Sequence, residues 1–518
     1  MTSLRCFFAV VVLVVSLVSA AQAVTLKLAY AADPVSLDPH EQLSGGTLQF
    51  SHMVFDPLVR WTKDQQIEPR LAESWQRIDA YTLRFKLRQG VRFHTGNELT
   101  SEDVRWTLER LQRSVDFKPV FAMFEKVRVI DQYTFDLITR NPYPLALQTA
   151  TYIFPMDSRF YTGVDEKGLP KALLRKHGNT FASKHLSGTG PYLVSHRQQG
   201  VRVEFDRFAD YWDRQSQGNV SRIILTPIKS DPTRVAALLS GDVDVISPVP
   251  PNDHVRIRNH DRLDLVTLPS TRIITLQLNQ QRRKEFRDLR VRQAIVNAIN
   301  NEGIVKKIMK GFATAAGQQS PKSFVGHKES LKPRYDLKRA RQLMKEAGYE
   351  SGFSVTMVTP NNRYVNDAKI ARAVVSMLAK INIQVDLRTI PKAQFWAELD
   401  ARSADIMMVG WRSDTEDSAN FSEFLIMCPN PETGAGQYNS GSYCNPEVDR
   451  LVMQSSSEID KDKRRSQLQK VEQILYDDAA FVPLHWQKMA WGVDKKVKIE
   501  PVLNVMNLPY LGDLVVTE

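Results

Sequence analysis

The chain has 518 residues, of which 42% are hydrophobic and 25% are charged, and its formal net charge is +11. This length exceeds what one compact core usually contains, so two or more lobes are expected. The basic residues are spread along the chain without the basic runs and interleaved aromatic residues of a nucleic-acid-binding protein, which argues against that class. Attraction to anionic envelope surfaces or solutes is the alternative to a charge without function.

The N-terminal residues have the pattern of a secretory signal peptide. Arg5 supplies positive charge, residues 7–18 are apolar, and Ala21-Gln22-Ala23 is a small-x-small cleavage site. We expect cleavage after Ala23 and export of a chain that begins at Val24. An uncleaved signal anchor is the alternative, because the apolar run is nearly long enough to span a membrane.

The first half of the remaining chain has the alternating pattern of β-strands separated by turns. Strands are predicted at residues 25–30 and 81–87, and a helix is predicted after Thr100, with Asp103 at the capping-box position. Further strands are predicted at residues 127–130, 133–138, 201–205, 220–227 and 273–278. This mixture indicates an α/β protein.

Helical spacing is more frequent in the second half. One long helix is predicted from Phe286 to about Gly311, and another is predicted from Leu451 to Tyr476. Between them lies a strand–helix–strand unit formed by residues 354–359, a helix capped by Asp367, and residues 383–387. The two strands of such a βαβ unit are expected to be parallel. Residues 405–411 predict one more buried strand.

Charged and aromatic side chains follow the ends of these strands, where open α/β sheets bind ligands. Arg363 lies between a strand and a helix N-terminus and favours an anion, while Asp414 follows Trp411 and offers a carboxylate to a cation. Tyr364, Trp411 and Trp396 are further candidates for lining the site, with plain core packing as the alternative for each. This charge pattern fits a zwitterion such as a short peptide. The alternative is that both charges are ordinary solvated loop residues.

Two cysteines remain after removal of the signal peptide. Cys428 and Cys444 flank a loop rich in turn residues, and in an exported chain they are expected to form a disulfide. Closing a loop of this size stabilises by about 3 kcal/mol on the entropic account. A zinc site is the weaker alternative, because no histidine flanks either cysteine.

Several motifs, taken in their order and spacing, resemble the extracytoplasmic solute-binding proteins of ABC importers, family 5, which includes the dipeptide- and oligopeptide-binding proteins. The matching segments are Asp33–Pro39, Val91–Phe93 with Gly96, Ser101–Val104, Gly188–Tyr192, Gly241–Asp244 and Phe286–Ala294. The chain departs from the family pattern at Asn300-Asn301 and at Thr95-Gly96. Both positions are expected to serve the fold and to lie away from the ligand-binding site.

The resemblance implies an α/β, two-lobed periplasmic-binding-protein fold, type II-like and class C. Residues 24–271 and 486–518 would form lobe one, with an extra subdomain inserted at about residues 56–184, and residues 272–485 would form lobe two. In similar dipeptide binders a Trp-x-x-Asp segment binds the peptide ammonium, and Trp411 with Asp414 match it. A Pro-x-x-Arg loop binds the carboxylate, and Pro360 with Arg363 match it. A cysteine pair flanking a loop after this Asp is a further similarity to the dipeptide-binding branch.

The resemblance further implies a periplasmic carrier and no enzyme. It would capture short peptides, dipeptides first among them, by lobe closure, and would deliver them to a permease heterodimer and its ATPase subunits in the inner membrane. We expect a monomer without cofactor, metal or nucleic-acid partner. The alternatives are the same role for haem, a nickel chelate or a sugar, and a secreted hydrolase. The sequence lacks His-Glu-x-x-His and Gly-x-Ser-x-Gly, two motifs of hydrolases.

Overall fold

The computed structural model describes residues 24–31, 33–34, 36–175, 178–413, 415, 417–506 and 508–517. The predicted signal peptide, residues 1–23, and the predicted ligand-binding residue Asp414 therefore lie outside the described residues. Among the helices of the described part, none is both long and apolar enough to cross a membrane.

The strands are as follows: β1 Val24–Tyr30, β2 Val59–Trp61, β3 Ile67–Pro69, β4 Ala72–Arg77, β5 Thr82–Leu87, β6 Phe124–Val129, β7 Thr134–Thr139, β8 Tyr192–Gln198, β9 Arg202–Arg207, β10 Val220–Pro227, β11 Val245–Ser247, β12 Leu263–Leu278, β13 Ala313–Ala315, β14 Phe353–Pro360, β15 Ile383–Ile390, β16 Ile406–Trp411, β17 Val482–Asp494, β18 Val497–Lys498 and β19 Val515–Val516.

The α-helices are as follows: α1 Gly45–Val54, α2 Ser101–Leu111, α3 Ala146–Thr149, α4 Ser158–Tyr161, α5 Asp231–Ser240, α6 His254–Arg258, α7 Leu289–Ala298, α8 Asn301–Lys307, α9 Leu337–Glu346, α10 Asp367–Leu378, α11 Lys392–Asp400, α12 Ser418–Leu425, α13 Pro446–Ser457 and α14 Lys461–Asp477. Short 3₁₀ turns connect several of them.

One mixed sheet runs through the molecule in the order β15-β14-β16-β12-β17-β11-β1-β10-β9-β8, and β13 pairs with β17. The long strands β12 and β17 are antiparallel neighbours over most of their length. Strand β14 is parallel to both β15 and β16, which confirms the predicted βαβ pairing. The carboxyl ends of these three strands therefore lie at the same edge of the sheet.

Buried apolar residues form separate clusters on the two sides of β12 and β17. The main cluster of one side contains residues 26–245 and 491–514, joined by Phe424. Two clusters on the other side contain residues 273–484. The four-stranded antiparallel sheet β4-β5-β7-β6 lies within the segment predicted as an extra subdomain. We propose the lobe boundaries at 271/272 and 485/486, where β12 and β17 pass between the clusters.

The prediction of two long helices is wrong. In each case a residue inside the predicted segment caps a new helix and so divides the segment. Residues 451–476 belong to α13 and α14, and the Asp460 carboxylate between them accepts hydrogen bonds from the N–H groups of Asp462 and Lys463. Residues 286–311 contain a 3₁₀ turn, α7 and α8, and the Asn300 side chain accepts from the N–H of Gly303 at 2.7 Å. Such side-chain bonds compete with the continuation of a helix.

The disulfide predicted between Cys428 and Cys444 is present, with a Cα–Cα distance of 4.6 Å and a sequence separation of 16. We expect the double variant Cys428→Ser/Cys444→Ser to lose about 3 kcal/mol of unfolding free energy, because the unfolded chain gains loop freedom. Urea denaturation checks this value, with the reduced wild-type protein as the matched control. Equal midpoints for the oxidised wild type and the variant would contradict the expectation.

Candidate functional site

A cavity of about 630 Å³ lies at the edge where β14, β15 and β16 end. Its volume is within the range of roughly 300–1,000 Å³ that is typical of small-molecule sites. Residues from both predicted lobes and from the crossing strands line it, among them Tyr30, Ser44, Gln49, Asp231, Trp491, Arg272, Gln487, Asn362, Arg363, Tyr364, Lys392, Trp396, Trp411, Arg412 and Tyr438.

Arg363 lines this cavity, and its guanidinium is held by aromatic rings. It lies 3.8 Å from the ring centroid of Trp396 and 5.0 Å from that of Tyr364. Its Nη1 is buried and has no hydrogen-bond partner among the described residues. Burial lowers the pKa of Arg363 below its ordinary value, in spite of the opposing effect of Tyr364. A buried donor without a partner is costly, so this group favours an incoming acceptor.

Asp367 fixes the loop that carries Arg363. The prediction that Asp367 is the N-cap of α10 is wrong: Asn366 is the N-cap, with φ 58°, and Asp367 is the first helical residue. Its carboxylate turns back and accepts hydrogen bonds from the N–H groups of Arg363 and Tyr364 at 3.0 and 3.1 Å. Asp367 thus holds the backbone of Arg363 while the Arg363 side chain remains available to a ligand.

Tyr364 and Trp411 line the cavity, and their polar atoms are engaged in hydrogen bonds with the protein. The Tyr364 hydroxyl accepts from the N–H of Gly410 at 2.7 Å and donates to its carbonyl oxygen at 3.2 Å. The Trp411 indole donates to Asn420 Oδ1 at 2.8 Å, and its ring lies 5.0 Å from that of Phe424. Both predicted residues therefore lie at the cavity, and their roles in ligand binding stay predictions.

The chain is anchored on both sides of Asp414, which itself lies outside the described residues. The Ser413 hydroxyl donates to the carbonyl oxygen of Asp417 and accepts from its N–H, each at 2.9 Å. Arg464 donates two hydrogen bonds to the Asp417 carboxylate, at 2.8 and 2.7 Å. The same carboxylate caps α12 through the N–H of Ala419. The role of Asp414 stays a prediction.

Basic side chains outnumber acidic ones around the cavity. Among the described lining residues the acids are Asp231 and Asp367. The bases are Lys229, Lys369 and Arg372, which are exposed, and Arg272, Arg363, Lys392 and Arg412, which are half-buried. The sequence analysis missed most of these cations, because they come from separate segments. Lys392 lies two residues after the end of β15, so applying the strand-end rule to that strand as well would have found it.

Lys392 has a perturbed pKa. Burial, reinforced by the charges of Arg363 and Arg272, lowers it to about 8. Within the described part of the chain, the Lys392 ammonium makes no ion pair and no hydrogen bond. A bound anion would relieve this repulsion and favour the charged lysine.

Comparisons with known proteins identify the fold and the family. Residues 66–431 match the bacterial extracellular solute-binding proteins, family 5 Middle. The glutathione-binding protein of Pectobacterium atrosepticum is 25% identical over 480 residues, which cover 89% of this chain and 88% of that protein. The dipeptide-binding protein of Escherichia coli is 26% identical over 510 residues, 92% of each chain.

The dipeptide-binding protein of Pseudoalteromonas sp. SM9913, solved in complex with Met-Leu, superposes with a TM-score of 0.85 at 21% identity and covers 95% of this chain and 100% of that one. This likeness confirms the predicted two-lobed periplasmic-binding-protein fold. The family match covers well over half of the sequence. The chain belongs to the bacterial extracellular solute-binding proteins of family 5.

Proposed function

We propose that this protein captures short peptides, dipeptides first among them, in the periplasm and delivers them to an ABC permease. Family 5 proteins are transport binding proteins and not enzymes, and the relatives support the role of a periplasmic substrate-binding component. The names of two relatives specify glutathione and dipeptides. Both kinds of ligand are peptides with a free carboxylate, which is the group that Arg363 is suited to bind.

The buried Nη1 of Arg363, which has no hydrogen-bond partner in the described part of the chain, is the observation that carries the proposal. A guanidinium binds a carboxylate through two parallel hydrogen bonds, and such charge-assisted bonds are about twice as strong as neutral ones. Stacking on Trp396 fixes the orientation of the guanidinium before a ligand arrives. In this proposal Arg363 binds the peptide carboxylate, Asp414 binds the ammonium, and the rings of Trp411 and Tyr364 flank the chain between them.

Contacts between the two predicted lobes support capture by lobe closure. Phe424 of the predicted lobe two is buried in the apolar cluster of the predicted lobe one. The backbone of Gly434 approaches Pro119 so closely that a Cβ atom there would lie 2.8 Å from Cγ of the proline. A ligand that contacts both walls stabilises this closed arrangement relative to an open one. We propose that the closed form, as a monomer, then docks on the permease heterodimer.

The carrier role for haem, a nickel chelate or a sugar is the alternative within the family. A thermal-shift screen of dipeptides, longer peptides, sugars and metal chelates separates these ligands, because a ligand that binds only the folded state raises the melting temperature. A shift by peptides alone is the expected result. A shift by sugars or chelates but not by peptides would overturn the peptide assignment.

We expect Asp414→Ala to weaken dipeptide binding at least tenfold, or about 1.4 kcal/mol, because the peptide ammonium would be buried without a partner. Isothermal titration calorimetry with the best dipeptide of the screen measures the change. Asp386→Ala is the control, since Asp386 is an exposed residue of β15 away from the cavity. Equal affinities for the two variants would remove the ammonium-binding role of Asp414.

A further inference from the structure

A simple dipeptide would leave one cation of the cavity, Lys392, without a counter-ion among the described residues. A zwitterionic dipeptide brings one carboxylate and one ammonium, which Arg363 and Asp414 would satisfy. Neither described acid of the lining pairs with Lys392: Asp231 pairs with Arg234 at 2.5 Å, and the Asp367 carboxylate is bound to backbone N–H groups. The Lys392 charge would therefore stay without a counter-ion among the described residues after a neutral peptide had bound.

Lys392 lies at the side of the cavity that carries Arg363. Its backbone N–H donates to Asn362 Oδ1 at 2.7 Å, which ties the start of α11 to the loop that carries Arg363. One helical turn further, Trp396 stacks on the Arg363 guanidinium at 3.8 Å. Residues four apart share a face of a helix, so Lys392 and Trp396 both lie on the side of α11 that meets Arg363.

We propose that Lys392, beside Arg363, forms a second anionic subsite, and that the preferred ligand is a short peptide with a second carboxylate. This inference rests on the proposed peptide function and specifies its substrate class. The cavity lining supports it, because Lys392 lines the same cavity as Arg363 and its ammonium has no partner among the described residues. With one carboxylate on Arg363, a second carboxylate on Lys392 would neutralise the other of two half-buried cations that otherwise repel each other.

The test compares peptides that differ by one charge at nearly constant shape. Calorimetry at pH 7 with Ala-Glu against Ala-Gln, and with Glu-Ala against Gln-Ala, is expected to show at least one acidic peptide binding about tenfold more tightly, as a charged hydrogen bond predicts. In Lys392→Met this preference should fall to about twofold or less. Lys338→Met is the matched control, because Lys338 is exposed on α9 outside the cavity, and it should keep the preference.

Proton uptake on ligand binding gives a second measurement, which does not rely on comparing the affinities of different peptides. The pKa of Lys392 is about 8, so at pH 8 about half of the molecules carry a neutral lysine. Binding of Ala-Glu should raise this pKa and take up as much as about half a proton, seen as a dependence of the binding enthalpy on the buffer. Lys392→Met should lose the part of the uptake that distinguishes Ala-Glu from Ala-Gln.

The outcomes separate this inference from the function on which it rests. If glutamine peptides bind the wild type as tightly as glutamate peptides, or if Lys392→Met keeps the preference, the second subsite is wrong while peptide capture stands. If neither kind of peptide binds the wild type, peptide capture itself is wrong, and the subsite with it.

Discussion

Replacing Arg363 by methionine is expected to weaken dipeptide binding by about 30-fold or more, which corresponds to at least about 2 kcal/mol. The methionine keeps much of the side-chain volume against Trp396 but removes the two hydrogen bonds to the carboxylate. The carboxylate would then be buried without a partner, which is the larger part of the cost. Isothermal titration calorimetry at constant pH and salt measures the loss.

Two further variants make the Arg363 result specific. Arg363→Lys keeps the charge but not the planar pair of donors, so an intermediate loss is expected. Arg256→Met removes a cation from an exposed position of α6 outside the cavity and should leave affinity unchanged. Wild-type affinity in Arg363→Met would show that the guanidinium does not bind the ligand.

Replacing Arg464 by methionine is expected to lower the free energy of unfolding by about 3–5 kcal/mol. Arg464 and Asp417 are only 6% and 3% exposed and form a bidentate ion pair. Removal of the arginine leaves a buried carboxylate at the start of α12, close to the chain that carries Asp414. Urea denaturation followed by tryptophan fluorescence measures the loss. Peptide affinity should fall as well, because Asp417 lies three residues from Asp414, the proposed ligand of the ammonium.

The neighbouring residue provides the control for Arg464. Arg465 pairs with Asp462 at 3.1 Å, but both side chains are largely exposed, so Arg465→Met should cost less than about 1 kcal/mol. The double variant Arg464→Met/Asp417→Asn should be more stable than Arg464→Met alone, since it no longer buries an unpaired charge. A similar small effect of Arg464→Met and Arg465→Met would contradict the structural role of the pair.

Local sequence patterns were sufficient for the elements that build the site. The parallel pair β14 and β15 was predicted from the alternation of residues 354–359 and 383–387 and from the helical spacing between them. The structure confirms this pairing. Arg363 was located because breaker residues mark the loop in which it lies. These signals act within a few residues, so they can be recognised without knowledge of the fold.

The sequence analysis failed where the outcome depends on competing or distant contacts. Asp367 was assigned to the helix cap, yet Asn366 has that position. The Asp367 carboxylate accepts from the N–H of Ala368 in the first turn and also from the loop N–H groups of Arg363 and Tyr364. Lys392 was missed because its importance comes from its approach to Arg363 and Arg272, which lie far away in sequence. Long-range proximity of like charges leaves no periodic signal in the sequence.

A crystal structure of the protein with the peptide that binds most tightly tests the central claim most directly. We predict that the peptide lies in the cavity between the lobes with a carboxylate oxygen about 3 Å from the Arg363 guanidinium, the distance of a charge-assisted hydrogen bond. A peptide bound outside this cavity, or one whose carboxylates do not contact Arg363, would contradict the claim.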